Sequence, residues 1–311
     1  MRTYAKYAVV IVTYNREQLL RECVYRIQSQ TIPAGSVIIV NNASTDGTSG
    51  YLEQLSSESN IYEIINSKEN LGGAGGFAKG IEAACKKDID CILIIDDDAM
   101  LESCYMEYLL NARQQHPEHR AFAGTVKVNG TVDPFHRKNL SRYGMLLKNC
   151  PQGEYQKEYF ECDIASFCGM LVDTDIVKKI GFPHAEYFIW HDDAEYSLRI
   201  IKHSRFLVVP QAVLNHKTKP KQEVYPRRYD WREYYAVRNR ILMVKEHGTF
   251  TDKVINYVHM FVHVVFRNWL FGVIKRDGYD WKYERELVKK AIRDANSHRP
   301  ENNIMERERH G

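Results

Sequence analysis

A short apolar run, Cys91-Ile92-Leu93-Ile94-Ile95, stops abruptly in three carboxylates, Asp96, Asp97 and Asp98. Such a run without alternation forms a buried strand, which requires a sheet covered by other elements. Three adjacent acids at the rim of that sheet repel one another and lose solvation. A divalent cation relieves both costs. Oxygen ligands suit Mg²⁺ or Mn²⁺, and a metal held by one or two carboxylates completes its shell with substrate phosphates. A solvated acidic turn is the alternative, and the rest of the chain weighs against it.

Three similar runs precede this one. Tyr7–Thr13, Val37–Val40 and Ile61–Ile65 are β-branched and continuous, and each leads into a polar loop and then a helical pattern. After Thr13 comes Tyr14-Asn15-Arg16-Glu17, opening a helix with Leu19, Leu20, Cys23 and Ile27 on one face. After Val40 comes Asn41–Thr48, rich in caps and turn formers, and a helix near 49–55. After Ile65 comes Asn70-Leu71-Gly72-Gly73-Ala74-Gly75-Gly76, with a helix expected over Phe77–Lys86. Strands alternating with helices predict a parallel sheet with right-handed crossovers, whose ligands bind at the carboxyl ends of the strands. The glycine run lacks the Gly-Lys-Ser/Thr of a Walker loop and fits a dinucleotide fingerprint only loosely. It reads as backbone that approaches a diphosphate or a sugar, with a flexible turn as the alternative.

Beyond Asp98 the pattern predicts a helix over 102–114, an edge strand at Ala121–Val128 and a loop-rich insertion over 129–160 near the active face. A buried strand follows at Ile164–Val172, then a helix over Ile176–Ile180 capped by Asp173-Thr174-Asp175. In Trp190-His191-Asp192-Asp193-Ala194-Glu195, two acids stand at a helix start, where the dipole favours negative charge. One Asp would suffice as a cap. A second beside a Trp suggests a base next to a stacking platform of the kind sugars use. Phe206–Pro210 is another strand, and His216 follows it closely enough to reach the face of Asp98.

The seven Cys include no C-x-x-C pair, which argues against a zinc or disulfide framework and for a reducing compartment. Met1–Lys6 runs straight into a strand without a signal peptide, and no apolar run approaches the ~18 residues of a spanning helix. A cytoplasmic protein is expected. Residues 217–311 hold 21 Lys and Arg against 13 Asp and Glu, whereas the rest holds 22 against 27. The basic tail mixes Arg227, Arg228, Arg232, Arg238 and Arg240 with Tyr229, Trp231, Tyr234 and Tyr235. Its apolar stretch Val254–Ile274 carries Phe266, Trp269 and Phe271. Such helices pack on a catalytic body or lie in a membrane interface, with Arg and Lys meeting anionic headgroups.

Taken in order, Thr13–Arg16, Asn41–Thr48, Asn70–Phe77, Asp96–Asp98, Trp190–Arg199 and His216 resemble the inverting GT-A glycosyltransferases of family 2, most of all bacterial galactofuranosyltransferases and rhamnosyltransferases. The resemblance covers about residues 7–220. It implies an α/β, Rossmann-like, mostly parallel sheet in a catalytic domain of residues 1–220, with a helical extension over 221–311. It implies that Thr13, Tyr14, Arg16, Asn41, Gly72, Gly73, Asp96 and Asp97 border the nucleotide-sugar donor. Asn41 stands where the family usually has an Asp reading the base. Asp98 and His216 would hold Mn²⁺ or Mg²⁺, Asp193 would be the general base, and Trp190, with His191 and Asp192, would shape the acceptor side. The implied reaction moves a sugar, galactofuranose from UDP-galactofuranose ahead of rhamnose from dTDP-rhamnose, to a glycan or polyprenyl-linked acceptor. The expected partners include a homo-oligomer and a peripheral membrane contact through 221–275 on the inner face, and no nucleic acid. Two readings from other classes are a nucleotidyltransferase, which would release pyrophosphate, and a non-catalytic scaffold of a polysaccharide assembly complex.

Overall fold

The computed structural model describes residues 4–218, 231–266, 269–270 and 281–297, and they fall into two compact units. The first comprises Met1–Asn139, Lys148–Ala185 and Asp193–Thr218, and the second Leu140–Leu147, Glu186–Asp192 and Lys219–Gly311.

The first unit opens as the periodicity predicts: β1 (Tyr7–Thr13), α1 (Glu17–Gln28), β2 (Ser36–Asn41), α2 (Thr48–Glu58), β3 (Tyr62–Asn66), α3 (Gly72–Ala84) and β4 (Cys91–Asp96). β1 pairs in parallel with both β2 and β4, and β2 with β3. The interior of β1, β2 and β4 is fully buried because α1 and α2 cover one face and α3 the other. Next come β5 (Ala99–Leu101), α4 (Tyr105–Gln115), β6 (Ala121–Val128), β7 (Thr131–Val132), β8 (Arg137–Leu140), β9 (Leu147–Asn149), β10 (Phe160–Cys162), β11 (Ile164–Ala165) and β12 (Met170–Asp173). The unit ends with α5 (Thr174–Ile180), α6 (Asp192–Ile200) and β13 (Phe206–His216). The main sheet runs β10-β13-β6-β12-β4-β1-β2-β3, with β12 antiparallel to both β4 and β6.

Four expectations are corrected here. Ala121–Val128 is interior, between β12 and β13, because β13 returns beside it in parallel. Ile164–Val172 is two strands, with Gly169 at φ +83° between them. A Cβ at Gly169 would lie 2.3 Å from the Tyr105 hydroxyl, so the turn needs glycine twice over. Asp173 makes no side-chain cap on α5, because its carboxylate is taken by Arg113 and Arg120. The glycine run is helical from Gly72, and a Cβ at Gly76 or Gly80 would come within 2.6 Å of Val12 or 2.4 Å of Val10. These two glycines let α3 lie close on β1.

The second unit contains α7 (Arg232–His247), α8 (Phe250–Met260) continued by π-helical turns over Phe261–Phe266, and α9 (Trp281–Asn296). Its core joins Phe188, Tyr234, Tyr235, Leu287 and Ala291. Tyr234 donates from its hydroxyl to Asp294 (2.6 Å), and Lys245 reaches the Ala295 carbonyl (2.9 Å), tying α7 to α9. Thr249 and Asp252 close a reciprocal cap on α8. Of the tail residues named from sequence, Arg227, Arg228, Tyr229 and Phe271 lie outside the described residues. Arg238 and Arg240 do not face solvent as headgroup contacts would. Arg238 is fully buried, and Arg240 donates to Asn256 (2.9 Å) and to the Gly144 carbonyl (2.8 Å). Among the described residues no helix is long and apolar enough to cross a membrane.

Candidate active site

The carboxylates Asp96 to Asp98 turn out of β4 into β5, and Asp97 and Asp98 are almost fully buried. Thr13, at the end of the neighbouring strand β1, donates from Oγ1 to Asp97 Oδ2 (2.8 Å). Arg16, opening α1, places Nη1 3.0 Å from Asp97 Oδ1 and 2.8 Å from Asp98 Oδ2. His216 arrives on the last residue of β13, which pairs with β5 so that His216 stands opposite Ala99. Its Nε2 lies 3.0 Å from Asp98 Oδ1, and the backbone N–H of Lys217 donates to the Asp98 carbonyl (2.9 Å). Residues 118 positions apart are thus brought together by one strand pairing.

The electrostatics divide the three acids. Burial, with the adjacent Asp98 charge, pushes Asp96 up to about 7. Burial likewise pushes Asp97 up to about 6, against the opposing pull of Arg16. Asp98 is also buried, yet the hydrogen bond to His216 and the charges of His216 and Arg16 hold it below the usual carboxylate range. Burial opposes the charged form of His216, and the Asp98 contact still raises it. Two carboxylates strained toward protonation beside one firmly charged leave the cluster short of positive charge.

Asp96, Asp98 and His216 each offer a ligand atom, all within 4.8 Å of one another, and two carboxylate oxygens with one imidazole nitrogen suit Mn²⁺ or Mg²⁺. His216 also belongs to a second triad with His136 and Cys168. Burial pushes the Cys168 thiol well up, which disfavours the thiolate that would hold a metal there.

The loops on either side of β1 are built from asparagines. Asn41 donates to Ser49 Oγ (3.1 Å) and Asn66 Oδ1 (3.0 Å) and accepts from the Ser44 N–H (3.0 Å), so it shapes its own loop. Asn15, at φ +52°, accepts from the Thr45 N–H (2.7 Å). Asn42 donates to the Gly72 carbonyl (2.8 Å) at the start of α3, leaving Gly73 half-buried one residue further on. Tyr14 is also half-buried.

Asp193 lies in the first turn of α6, half-buried, with Oδ1 accepting from the Ala194 N–H (2.6 Å). Burial raises its pKa, and the charges of Lys138 and, more weakly, Arg137 oppose the rise. Residues 136–138 therefore bear on both His216 and Asp193. The His136 ring packs edge-on against His216 with centroids 5.1 Å apart, while Lys138 acts on Asp193. Between them the fully buried Arg137 donates to the carbonyls of Gly124 (3.0 Å), His136 (2.8 Å) and Cys168 (3.1 Å). The sequence offers little sign of these three, because His136 ends a single 3-10 turn and Arg137 and Lys138 open a short polar strand, all inside an irregular insertion. Trp190, His191 and Asp192 belong to the second unit, where Trp190 is 39% exposed.

A mostly parallel sheet with an aspartate cluster at its carboxyl edge, closed by antiparallel strands that return a histidine to it, is the GT-A architecture of glycosyltransferases. The chain belongs to glycosyl transferase family 2, whose family model matches residues 8–181. It is 32% identical over 103 residues to glycosyltransferase EpsH of Bacillus subtilis, covering 33% of this chain and 29% of that one. It is 25% identical over 281 residues to galactofuranosyltransferase GlfT2 of Mycolicibacterium smegmatis, covering 78% of this chain and 41% of that one. To GlfT1 of the same organism it is 26% identical over 201 residues, covering 62% and 64%. This chain therefore spans less than two thirds of the length of each of these relatives. Among solved structures, S. aureus TarS 1-349 in complex with UDP-GlcNAc matches with TM-score 0.62 at 14% identity, covering 93% of this chain and 80% of that chain. A mannosyltransferase from Pyrobaculum calidifontis in complex with GDP-Man and Mn²⁺ matches with TM-score 0.56 at 16% identity, covering 96% and 76%.

Proposed function

We propose that this glycosyltransferase moves a sugar from a nucleoside diphosphate to a hydroxyl of a glycan or lipid-linked glycan in one displacement, inverting the anomeric carbon. UDP-galactofuranose is the leading donor, supported by the galactofuranosyltransferases among its relatives, with dTDP-rhamnose second. The observation that carries the reading is the convergence of Asp96, Asp98 and His216 at the carboxyl edge of the sheet. These residues would hold Mn²⁺ or Mg²⁺, which neutralises charge on a departing diphosphate. Thr13, Tyr14, Arg16, Asn41, Gly72, Gly73 and Asp97 line the loops assigned to the donor. Arg16 is half-exposed and already pairs with two carboxylates, so it supplies a fixed positive charge at that edge.

Asp193 is the general base. A carboxylate raised from its ordinary value by burial accepts a proton from an alcohol more readily than a solvated one. The Lys138 charge opposes that rise. Trp190, His191 and Asp192 are assigned to the acceptor side.

The test is protection against thermal unfolding by a panel of nucleotide sugars with and without Mn²⁺, followed by product analysis. UDP-galactofuranose should raise the melting temperature only with the metal, and UDP should be the product. Asp98→Ala should abolish the metal-dependent shift. Asp193→Asn should keep it while transfer falls by about 10²–10⁴-fold. Release of pyrophosphate from a nucleoside triphosphate would replace the reading with a nucleotidyltransferase, and full protection without turnover would favour a scaffold.

A further inference from the structure

Three of the four residues Phe188, Ile189, Trp190 and His191 have left-handed backbones, with φ of +61° at Phe188 and +64° at Trp190 and His191. None is glycine, and bulky side chains avoid this region. The N–H of Ile189 donates to the Tyr187 carbonyl (2.7 Å), closing a three-residue turn around Phe188 that is uncommon for the same reason. A segment so disfavoured persists only where its surroundings hold it, and such segments gather at functional sites.

Two adjacent residues of α7 hold it. Asn239, fully buried, directs its Nδ2 to the carbonyls of Tyr187 (2.8 Å), Ile189 (2.9 Å) and Trp190 (2.8 Å). Arg238, also fully buried, donates from Nη2 to the Glu186 carbonyl and from Nε to Asn239 Oδ1 (3.0 Å). The second bond fixes which way the amide faces, so that its NH₂ meets the loop. Arg238 is itself held between Tyr234 and Tyr235, its guanidinium carbon 5.3 Å and 4.8 Å from the ring centroids. Phe188 stacks on Tyr235 with centroids 5.1 Å apart. Four carbonyls of one short loop are thus bound by two side chains, a far heavier investment of buried polar groups than a solvent-exposed turn requires.

We propose that Arg238 and Asn239 are positioning residues for glycosyl transfer: they hold the left-handed course of Glu186–His191, the backbone that presents Trp190 and His191 and leads two residues later to Asp193. This deepens the reading given above, since it rests on the assignment of that loop to the acceptor side. It also gives the C-terminal extension a part in catalysis.

The discriminating variant is Asn239→Asp. It keeps the size of the side chain and can still accept from Arg238 Nε, but it has no N–H to give to the loop. With UDP-galactofuranose as donor and an alkyl galactofuranoside as acceptor, kcat/KM for the acceptor should fall by about 100-fold. The affinity for UDP with Mn²⁺, measured by calorimetry, should stay within about twofold of the wild type. Amide exchange over residues 187–192 should quicken, while exchange in β1 and β4 should not. Transfer at the wild-type rate in Asn239→Asp would overturn the proposal. So would joint loss of UDP binding and transfer, which would mark the pair as an ordinary fold contact. If the wild-type protein transfers no sugar to this acceptor, the galactofuranosyl reading fails by itself. The clamp is then judged by exchange alone, and unchanged exchange over 187–192 in Asn239→Asp would refute it.

Discussion

Asp97 shows how the site sets local function against stability. It is 3% exposed, and its pKa of about 6 means that folding brings a carboxylate into surroundings that resist its charge. Asp96, pushed up to about 7, behaves alike. Between about pH 4 and pH 7 the metal-free folded protein therefore binds more protons than the unfolded chain, and its stability falls as pH rises through that window. The raised His216 acts in the same sense, its contribution being lost as pH rises through its folded value. Asp98 acts oppositely, since its depressed pKa gives stability that is lost only on acidification below about pH 4. In EDTA, the melting temperature should thus be higher near pH 5.5 than at pH 7.5. Asp97→Asn should stabilise the metal-free protein at pH 7.5 by about 2 kcal/mol and flatten that dependence. An unchanged or lowered melting temperature in Asp97→Asn would show that the Arg16 and Thr13 contacts outweigh the desolvation.

Among the elements, α3 is the one whose place depends on a missing side chain. Gly80 sits over β1 and β2, and an added Cβ would lie 2.4 Å from Val10 Cγ1 and 3.2 Å from Val40 Cγ2. Neither valine has room to move, since both are fully buried in central strands. Gly80→Ala would gain helix propensity of about 1 kcal/mol at an unconstrained position, but here the overpacking of about 1–3 kcal/mol should win. The urea midpoint should fall without a change in slope, and a midpoint at or above that of the wild type would show that α3 lifts freely from the sheet. Because Asn42 donates to the Gly72 carbonyl, a displaced α3 should also weaken UDP binding. The sequence shows the glycine run plainly, but a ligand loop and a close helix contact leave the same trace. Which glycines face the sheet depends on where the helix begins, five residues earlier than the apolar periodicity suggested.

Across the whole molecule, the sequence runs from an acidic stretch, residues 1–216, into a basic one, residues 217–311. In the second unit Val254, Val258, Phe261, Val262 and Phe266 are exposed at helical spacing, with Trp269 60% exposed beyond them. An exposed apolar stripe on a basic segment fits the interface of an anionic membrane, where lipid-linked acceptors reside. The protein should therefore sediment with anionic liposomes at low ionic strength and be released by salt. Val258→Glu with Phe261→Glu should reduce sedimentation by at least about tenfold while leaving the melting-temperature shift with UDP and Mn²⁺ intact. Equal binding to neutral and anionic vesicles, or none, would leave the stripe to another partner. Arg238 and Arg240 are not available for that role, since both are turned inward.

The chain alone determined what local rules can express. β1, β2 and β4 declare themselves because strands buried on both faces need uninterrupted apolar runs, and Asp96–Asp98 and Asp193 stand out because clustered acids beside apolar residues have few inexpensive explanations. Only the tertiary structure decided the rest. β6 became interior because β13 came back beside it, and His216 reached Asp98, across 118 positions, through the separate pairing of β13 with β5. His136, Lys138, Arg238 and Asn239 look like surface polar residues in sequence. Their meaning comes from what they touch, and partners distant along the chain leave no local period to read.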